Sequence, residues 1–199
     1  MILRDYQQAA HDAAISWVKK CIEPSLIIAA TGAGKSLIVA AIANTIHKMS
    51  GKKILCIAPS KELVEQNHGK YLATGNPASI YSAAIRKELK HPVVFGSPQT
   101  VMNSLRKFGD GYAAVIVDEA HGITPTMRRI LDHMRTQNPK LRILGLTATP
   151  YRMGTGYIYG HHFERGPVDE DQAKDPYFHT CIYEIGARFL IERGYLTPI

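Results

Sequence analysis

The sequence predicts an α/β fold, a mostly parallel sheet sandwiched by helices, and three observations carry that prediction. Apolar runs at 26–29, 53–58, 93–95, 113–117 and 141–146 are continuous rather than alternating, the pattern of strands buried on both faces. Stretches with helical apolar spacing lie between them, so strand and helix alternate along the chain. A glycine-rich turn, Thr31-Gly32-Ala33-Gly34, joins the first of these strands to a helix, and the other notable loops also follow strand carboxyl ends, where an open α/β sheet binds ligands.

Residues 5–20 read as a helix. Tyr6, Ala9, Ala10, Ala13, Ala14, Trp17 and Val18 share one stripe, with Asp5 at the start and Lys19-Lys20 at the end, where their charges complement the helix dipole. After Pro24 come the strand 26–29, the glycine turn and a helix over 37–49. The strand 53–58 is closed by Pro59-Ser60, and Ser60 caps a helix over 61–73. Ser79-Ile80-Tyr81-Ser82 reads as a short strand and Arg86-Lys87 as a basic helical turn. The strand 93–95 leads through Gly96-Ser97-Pro98-Gln99 into a helix reaching Lys107. The strand 113–117 delivers Asp118-Glu119-Ala120-His121, residues 126–137 are helical, and the last clear strand, 141–146, ends in Thr147-Ala148-Thr149-Pro150. Gly154, Gly156, Gly160 and Gly166, with acidic Asp169-Glu170-Asp171, then indicate a loop-rich excursion. A helix over 182–193 and a linker at Thr197-Pro198 close the chain. The expected organisation is one domain over 1–150 and a loop-rich, helical extension over 151–199.

The 199 residues are 45% hydrophobic and 21% charged, enough for one sizeable core. A net charge of +7 favours a polyanion as partner, although a nucleotide site alone accounts for some of the Lys and Arg excess. The three cysteines lie far apart and Cys56 sits inside an apolar strand, which argues against a disulfide framework and for a reducing compartment. The first residues lack a signal peptide's apolar core, and no run approaches about 18 apolar residues, so a soluble cytoplasmic chain is expected. His161, His162, His179 and Cys181 do not follow the paired spacing of structural zinc ligands.

Ala29-Ala30-Thr31-Gly32-Ala33-Gly34-Lys35-Ser36 has the strand-loop-helix context of a phosphate-binding loop. Small residues let the backbone curl round phosphate oxygens, and the new helix aims unpaired N–H groups and its positive dipole end at them. Lys35 then reaches the terminal phosphates and Ser36 offers its hydroxyl to Mg²⁺. Ala29 stands where the first glycine of the usual pattern would be, and a glycine turn that merely caps a helix is the plainer alternative. Asp118-Glu119 at the end of a buried strand supplies what phosphoryl transfer needs next. One carboxylate holds the metal, and its neighbour orients and deprotonates the attacking water. A solvated acidic loop pair is the plainer reading of that dipeptide taken alone.

Together these segments resemble the DEAH-type helicases and translocases of superfamily 2. Residues 29–36 are similar to that group's motif I, Ala58-Pro59-Ser60-Lys61-Glu62-Leu63-Val64-Glu65-Gln66 to motif Ia, Gly96-Ser97-Pro98-Gln99-Thr100 to the next strand-contacting motif, Asp118 to His121 to motif II, and Leu146-Thr147-Ala148-Thr149-Pro150 to motif III. The resemblance implies a RecA-like ATP-binding domain, bacterial or phage-encoded, of a DNA-dependent enzyme in repair. It tolerates Ala29. Gln7 would read adenine with Arg4 and Tyr6 nearby; Thr31, Gly32, Ala33, Gly34, Lys35 and Ser36 would hold phosphates; Ser36 and Asp118 would hold Mg²⁺. Glu119 would be the base, and His121 with Thr147, Ala148 and Thr149 would couple hydrolysis to a second domain. Pro59, Ser60, Lys61, Ser97 and Gln99 would follow a DNA backbone, with Arg86, Lys87 and Lys90 either extending that track or forming a solvated basic face.

The group's second RecA-like domain supplies arginines that stabilise the transferring phosphate, and no such string occurs in these residues. An arginine finger is worth roughly three to five orders of magnitude in rate, so the expectation is ATP binding with very slow hydrolysis. The alternatives are a restriction-system translocase motor, a nucleic-acid-binding module with a vestigial ATP site, and a small P-loop kinase. Intact Lys35, Ser36, Asp118 and Glu119 argue against the second, and motifs Ia and III against the third.

Overall fold

The computed structural model describes residues 1–198. The chain runs α1 (Asp5–Lys20), β1 (Ser25–Ala29), α2 (Lys35–Ser50), β2 (Lys53–Ile57), α3 (Lys61–Leu72), β3 (Ser79–Ser82), β4 (Arg86–Lys87), β5 (Val93–Gly96), α4 (Pro98–Asn103), β6 (Tyr112–Asp118), α5 (Pro125–Gln137), β7 (Arg142–Thr147), β8 (Tyr151–Arg152), β9 (Gly156–Tyr157), β10 (Tyr159–His162), β11 (Gly166–Pro167), β12 (Phe178–Ile185) and α6 (Ala187–Glu192). Ten strands form one sheet in the order β11-β10-β12-β1-β7-β6-β2-β5-β3-β4, while β8 and β9 make a separate hairpin. The large sheet is parallel except at its two ends, where β11 and β4 pair antiparallel.

Alternate strand residues serve two apolar layers, as the period of two in a strand requires. From β1, Ile27 and Ala29 enter a core with Ala10 and Ala14 of α1, Ile38 and Ile42 of α2, Val64 of α3 and Leu190 of α6. Leu26 and Ile28 face the opposite way, toward Met127, Ile130, Leu131 and Met134 of α5. Helices therefore cover both faces, which is why the strands are apolar throughout. Ser60 Oγ accepts from Leu63 N–H at 3.2 Å to start α3, and Thr124 Oγ1 accepts from Met127 N–H at 3.2 Å to start α5, with Pro125 in the first helical position.

Three expectations are corrected. Residues 178–185 are a strand, β12, and only Ala187–Glu192 is helical, where the sequence suggested a helix over 182–193. Ile182, Ile185, Phe189 and Leu190 have helical spacing, but Ile182 and Ile185 are buried in β12, which inserts between β10 and β1 and ends before Gly186. The sheet thus continues past 141–146, and part of the segment after Pro150 is built into it. Arg86-Lys87 is not a helical turn but the edge strand β4, opposite Tyr81 and Ser82. The helix from Pro98 stops at Asn103, and a 3₁₀ turn covers Leu105–Lys107. Among the described residues no helix is long and apolar enough to cross a membrane.

Gly145 lies in the middle of β7 beneath two buried groups. An added Cβ would sit 2.5 Å from Phe178 Cζ and 2.7 Å from Ala120 Cβ, closer than packed carbon atoms can approach. Gly145→Ala is therefore expected to destabilise the fold by about 1–3 kcal/mol, the cost of overpacking a well-filled core. A urea unfolding midpoint equal to that of the parent chain would contradict this packing.

Candidate active site

Three adjacent parallel strands, β1, β7 and β6, bring the chemistry together. Their registers pair Ile28 with Thr147 and Asp118 with Leu146, so the loop after β1, the threonines ending β7 and the acidic pair ending β6 emerge at one level. The glycine loop turns there into α2. Gly34 is the helix N-cap at φ +80°, a conformation that side chains rarely adopt, and an added Cβ would meet Gln7 Nε2 at 2.4 Å. Gly34 is thus required both for the turn and for the approach of α1.

Gln7 is buried and both ends of its amide are used. Nε2 donates to Ala33 O at 2.9 Å, and Oε1 accepts from Arg4 N–H at 2.9 Å. One N–H and one lone pair remain, the donor-acceptor pair that an adenine edge would need. Arg4 Nη1 donates to Tyr6 Oη at 3.3 Å, and its guanidinium lies 4.5 Å from the centre of the Tyr195 ring. Leu196 closes over Gly32. Tyr195 and Leu196, just before the Thr197-Pro198 expected to form a linker, are therefore packed against Arg4 and the glycine loop.

A cavity of about 450 Å³ opens at the strand ends. Thr31, Gly32, Gly34, Lys35, Ser36, Asp118 and Glu119 line it as the sequence suggested, while Ala33 is buried beneath the turn. Leu63, Gln66 and Lys70 of α3 also line it. The sequence reading missed them, although their three- and four-residue spacing on a helix beginning at a flagged motif was the available signal.

Polar groups here form a chain. Lys35 Nζ is paired with Glu119 Oε1, Glu119 Oε2 lies 3.2 Å from His121 Nδ1, and that nitrogen lies 3.2 Å from Thr147 Oγ1. Thr147 Oγ1 in turn accepts from Thr149 N–H at 3.0 Å. Glu119 adopts φ +53°, left-handed backbone that is strained for a residue with a Cβ, a cost of order 1–3 kcal/mol that clusters at functional positions. Asp118 is buried at 3% exposure; its Oδ1 accepts from Glu119 N–H and its Oδ2 from Asn67 Nδ2, both at 2.9 Å. Burial pushes the Asp118 carboxyl above its ordinary range, with the Asn67 hydrogen bond opposing the shift. Burial likewise raises the Cys56 thiol, which therefore stays protonated.

The donor set fits Mg²⁺. Asp118 and Ser36 offer hard oxygens in a cavity wide enough for phosphates and water, and Asn67 Oδ1 is buried with no partner among the described residues. Of the candidate backbone contacts, Pro59, Lys61 and Gln99 are exposed. They are brought near one another because β2 and β5 are neighbours, with Ile57 opposite Gly96. Ser60 Oγ caps α3 and Ser97 Oγ donates to Thr100 Oγ1 at 2.8 Å, so both hydroxyls already have partners. His162 takes Glu164 N–H on Nδ1 and donates from Nε2 to Glu184 at 2.8 Å, tying β10 to β12.

Residues 1–152 match the family described as type III restriction enzyme, res subunit. The putative ATP-dependent helicase IRC3 of Saccharomyces cerevisiae is 28% identical over 161 residues, covering 74% of this chain and 23% of that protein. The ATP-dependent DNA helicase mph1 of Sclerotinia sclerotiorum is 34% identical over 141 residues, covering 63% of this chain and 11% of its own length. The chain thus spans less than a quarter of either relative. Among solved structures, the UvsW helicase from bacteriophage T4 superposes with a TM-score of 0.67 at 19% identity, over 92% of this chain and 60% of that one. The type ISP restriction-modification enzyme LlaGI, in complex with a DNA substrate mimic, gives 0.69 at 20% identity over 98% of this chain and 21% of the other. These likenesses establish the fold as RecA-like α/β.

The raised Asp118 carboxyl costs stability wherever it is ionised in the folded state. Below its unfolded value near 3.8 the group is neutral in both states, and the penalty grows as pH rises through the folded value. Asp118→Asn is therefore expected to raise the thermal midpoint of the ligand-free chain at pH 8, with the gap closing as pH falls toward the unfolded carboxyl value near 3.8. A midpoint below that of the parent at pH 8 would overturn this electrostatic reading.

Proposed function

Since this chain belongs to the family described as type III restriction enzyme, res subunit, we propose that it is the ATP-binding RecA-like domain of a DNA-dependent superfamily-2 helicase or translocase with a DEAH-type site. The observation that carries the reading is the chain of contacts from Lys35 through Glu119 and His121 to Thr147, which ties the phosphate loop and Glu119 at the cavity to the buried motif III threonine behind it.

In this reading the nucleotide enters with its phosphates over residues 31–36 and its base toward Arg4 and Gln7. Lys35 exchanges its ion pair with Glu119 for the terminal phosphates, a substitution of one anion for another that keeps the ammonium charge compensated. Glu119, released, takes the proton of the attacking water. His121, between Glu119 and Thr147, carries the change toward residues 147–149 and so to a second RecA-like domain. Ser36 and Asp118 hold Mg²⁺, which when bound neutralises charge on the phosphate oxygens. The extension after 150 leads to that second domain, whose arginines complete the transition-state site. Pro59, Ser60, Lys61, Ser97 and Gln99 lie along DNA through its backbone, Ser60 and Ser97 by main-chain groups because their hydroxyls are engaged.

For the whole protein we favour work on DNA repair inside a bacterial or phage-infected cell. This rests on the further likeness of Leu3-Arg4-x-Tyr6-Gln7, Lys61-Glu62-Leu63-Val64-x-Gln66-Asn67-His68 and Gly194-Tyr195-Leu196-Thr197-Pro198 to the N-terminal portion of the bacterial repair protein RadD. A restriction translocase that walks on duplex without separating strands is the second reading, favoured by the matched family's own description and by the LlaGI likeness. Strand-displacement assays on the full-length protein separate the two.

Lys35→Ala removes one charge-assisted contact, worth about 1.5–3 kcal/mol, and is expected to weaken ATP binding roughly 10- to 150-fold by calorimetry. Unchanged affinity would place the nucleotide elsewhere. Glu119→Gln frees Lys35 from its ion pair, so ATP binding stays equal or tightens while any turnover falls; weaker binding would show that Glu119 holds the loop open rather than competing for Lys35.

A further inference from the structure

Asn67 has no part in the chemistry proposed above, yet among the described residues it makes the one side-chain hydrogen bond to the Asp118 carboxylate. It lies on α3 in the stripe Leu63, Gln66, Asn67, Lys70, whose other three members line the phosphate cavity. At 1% exposure its Nδ2 donates to Asp118 Oδ2, while its Oδ1 is buried and has no partner among the described residues. Packing does not account for an amide here: an apolar side chain would fill space without burying an unsatisfied acceptor. Since Glu119 N–H holds the other carboxylate oxygen, the two donors together fix the plane of the carboxylate.

We propose that Asn67 is a positioning residue that, together with the Glu119 N–H, holds the Asp118 carboxylate in the orientation its cation requires. The inference rests on the reading of Asp118 as a Mg²⁺ ligand. Outer partners of metal ligands are commonly worth a factor of ten or more in metal affinity, because they set the ligand's orientation before the ion arrives.

The test uses the 199-residue chain and its Asn67→Leu and Asn67→Ser variants, following ATP binding by calorimetry across a Mg²⁺ titration and in excess chelator, with thermal unfolding alongside. In Asn67→Leu the Mg²⁺ concentration giving half of the metal-dependent gain in affinity is expected to rise roughly 10- to 100-fold, with binding in chelator close to the parent's, while the thermal scan checks that the variant is folded at the assay temperature. Asn67→Ser, small enough to admit a water beside Asp118, is expected to fall between the two and serves if the leucine variant does not fold. An unshifted Mg²⁺ midpoint in either folded variant, or an equal loss with and without the metal, overturns the positioning role and leaves the site reading intact. A parent chain that binds ATP with no gain from Mg²⁺ overturns both.

Discussion

The structure depends on the parallel register of β1, β7 and β6. Backbone hydrogen bonds between these strands fix how far each extends before its loop begins, and they do so without any of the site's side chains. A slip of one residue would exchange the residues that face the two apolar layers, so side-chain packing on both faces enforces the same alignment. The site is thus held by the core, and its residues are free to be strained, charged or unsatisfied.

That freedom is used. A buried carboxylate above its ordinary range, a glutamate in left-handed backbone and an amide oxygen without a partner all lie within a few residues of one another in space. In isolation each would weaken the fold. The ion pair between Lys35 and Glu119 gives each of these half-buried charges a partner. A cavity lined by ionised groups is stable only if those charges have partners, and within this one Glu119 supplies the partner of Lys35.

Much of this was legible in the sequence because the informative signals were local. Continuous apolar runs marked β1, β2, β5, β6 and β7, and the glycine loop, Asp118-Glu119 and Thr147 sit at the ends of three of them. What escaped was non-local. Residues 178–185 carry apolar spacing that suits either a helix or a strand, and only the open edge of β1 decides between them. Asn67 is linked to Asp118 across 51 residues, Gln7 to Ala33 across 26, and no short motif encodes either contact. The role of Gln66 and Lys70 follows from which way α3 faces, which its first turn alone does not disclose.

The insertion of β12 beside β1 bears on how such a domain can be divided. The family match ends at residue 152, yet β1 gains its second neighbour only with Ser25 to Ala29 pairing onto residues 180–185. A chain cut at the end of the match would leave the strand that carries the phosphate loop as a bare, wholly apolar sheet edge, the kind of surface that recruits strands from other molecules. The residues after 152 therefore close that edge, and the strand they deliver guards the domain against self-association.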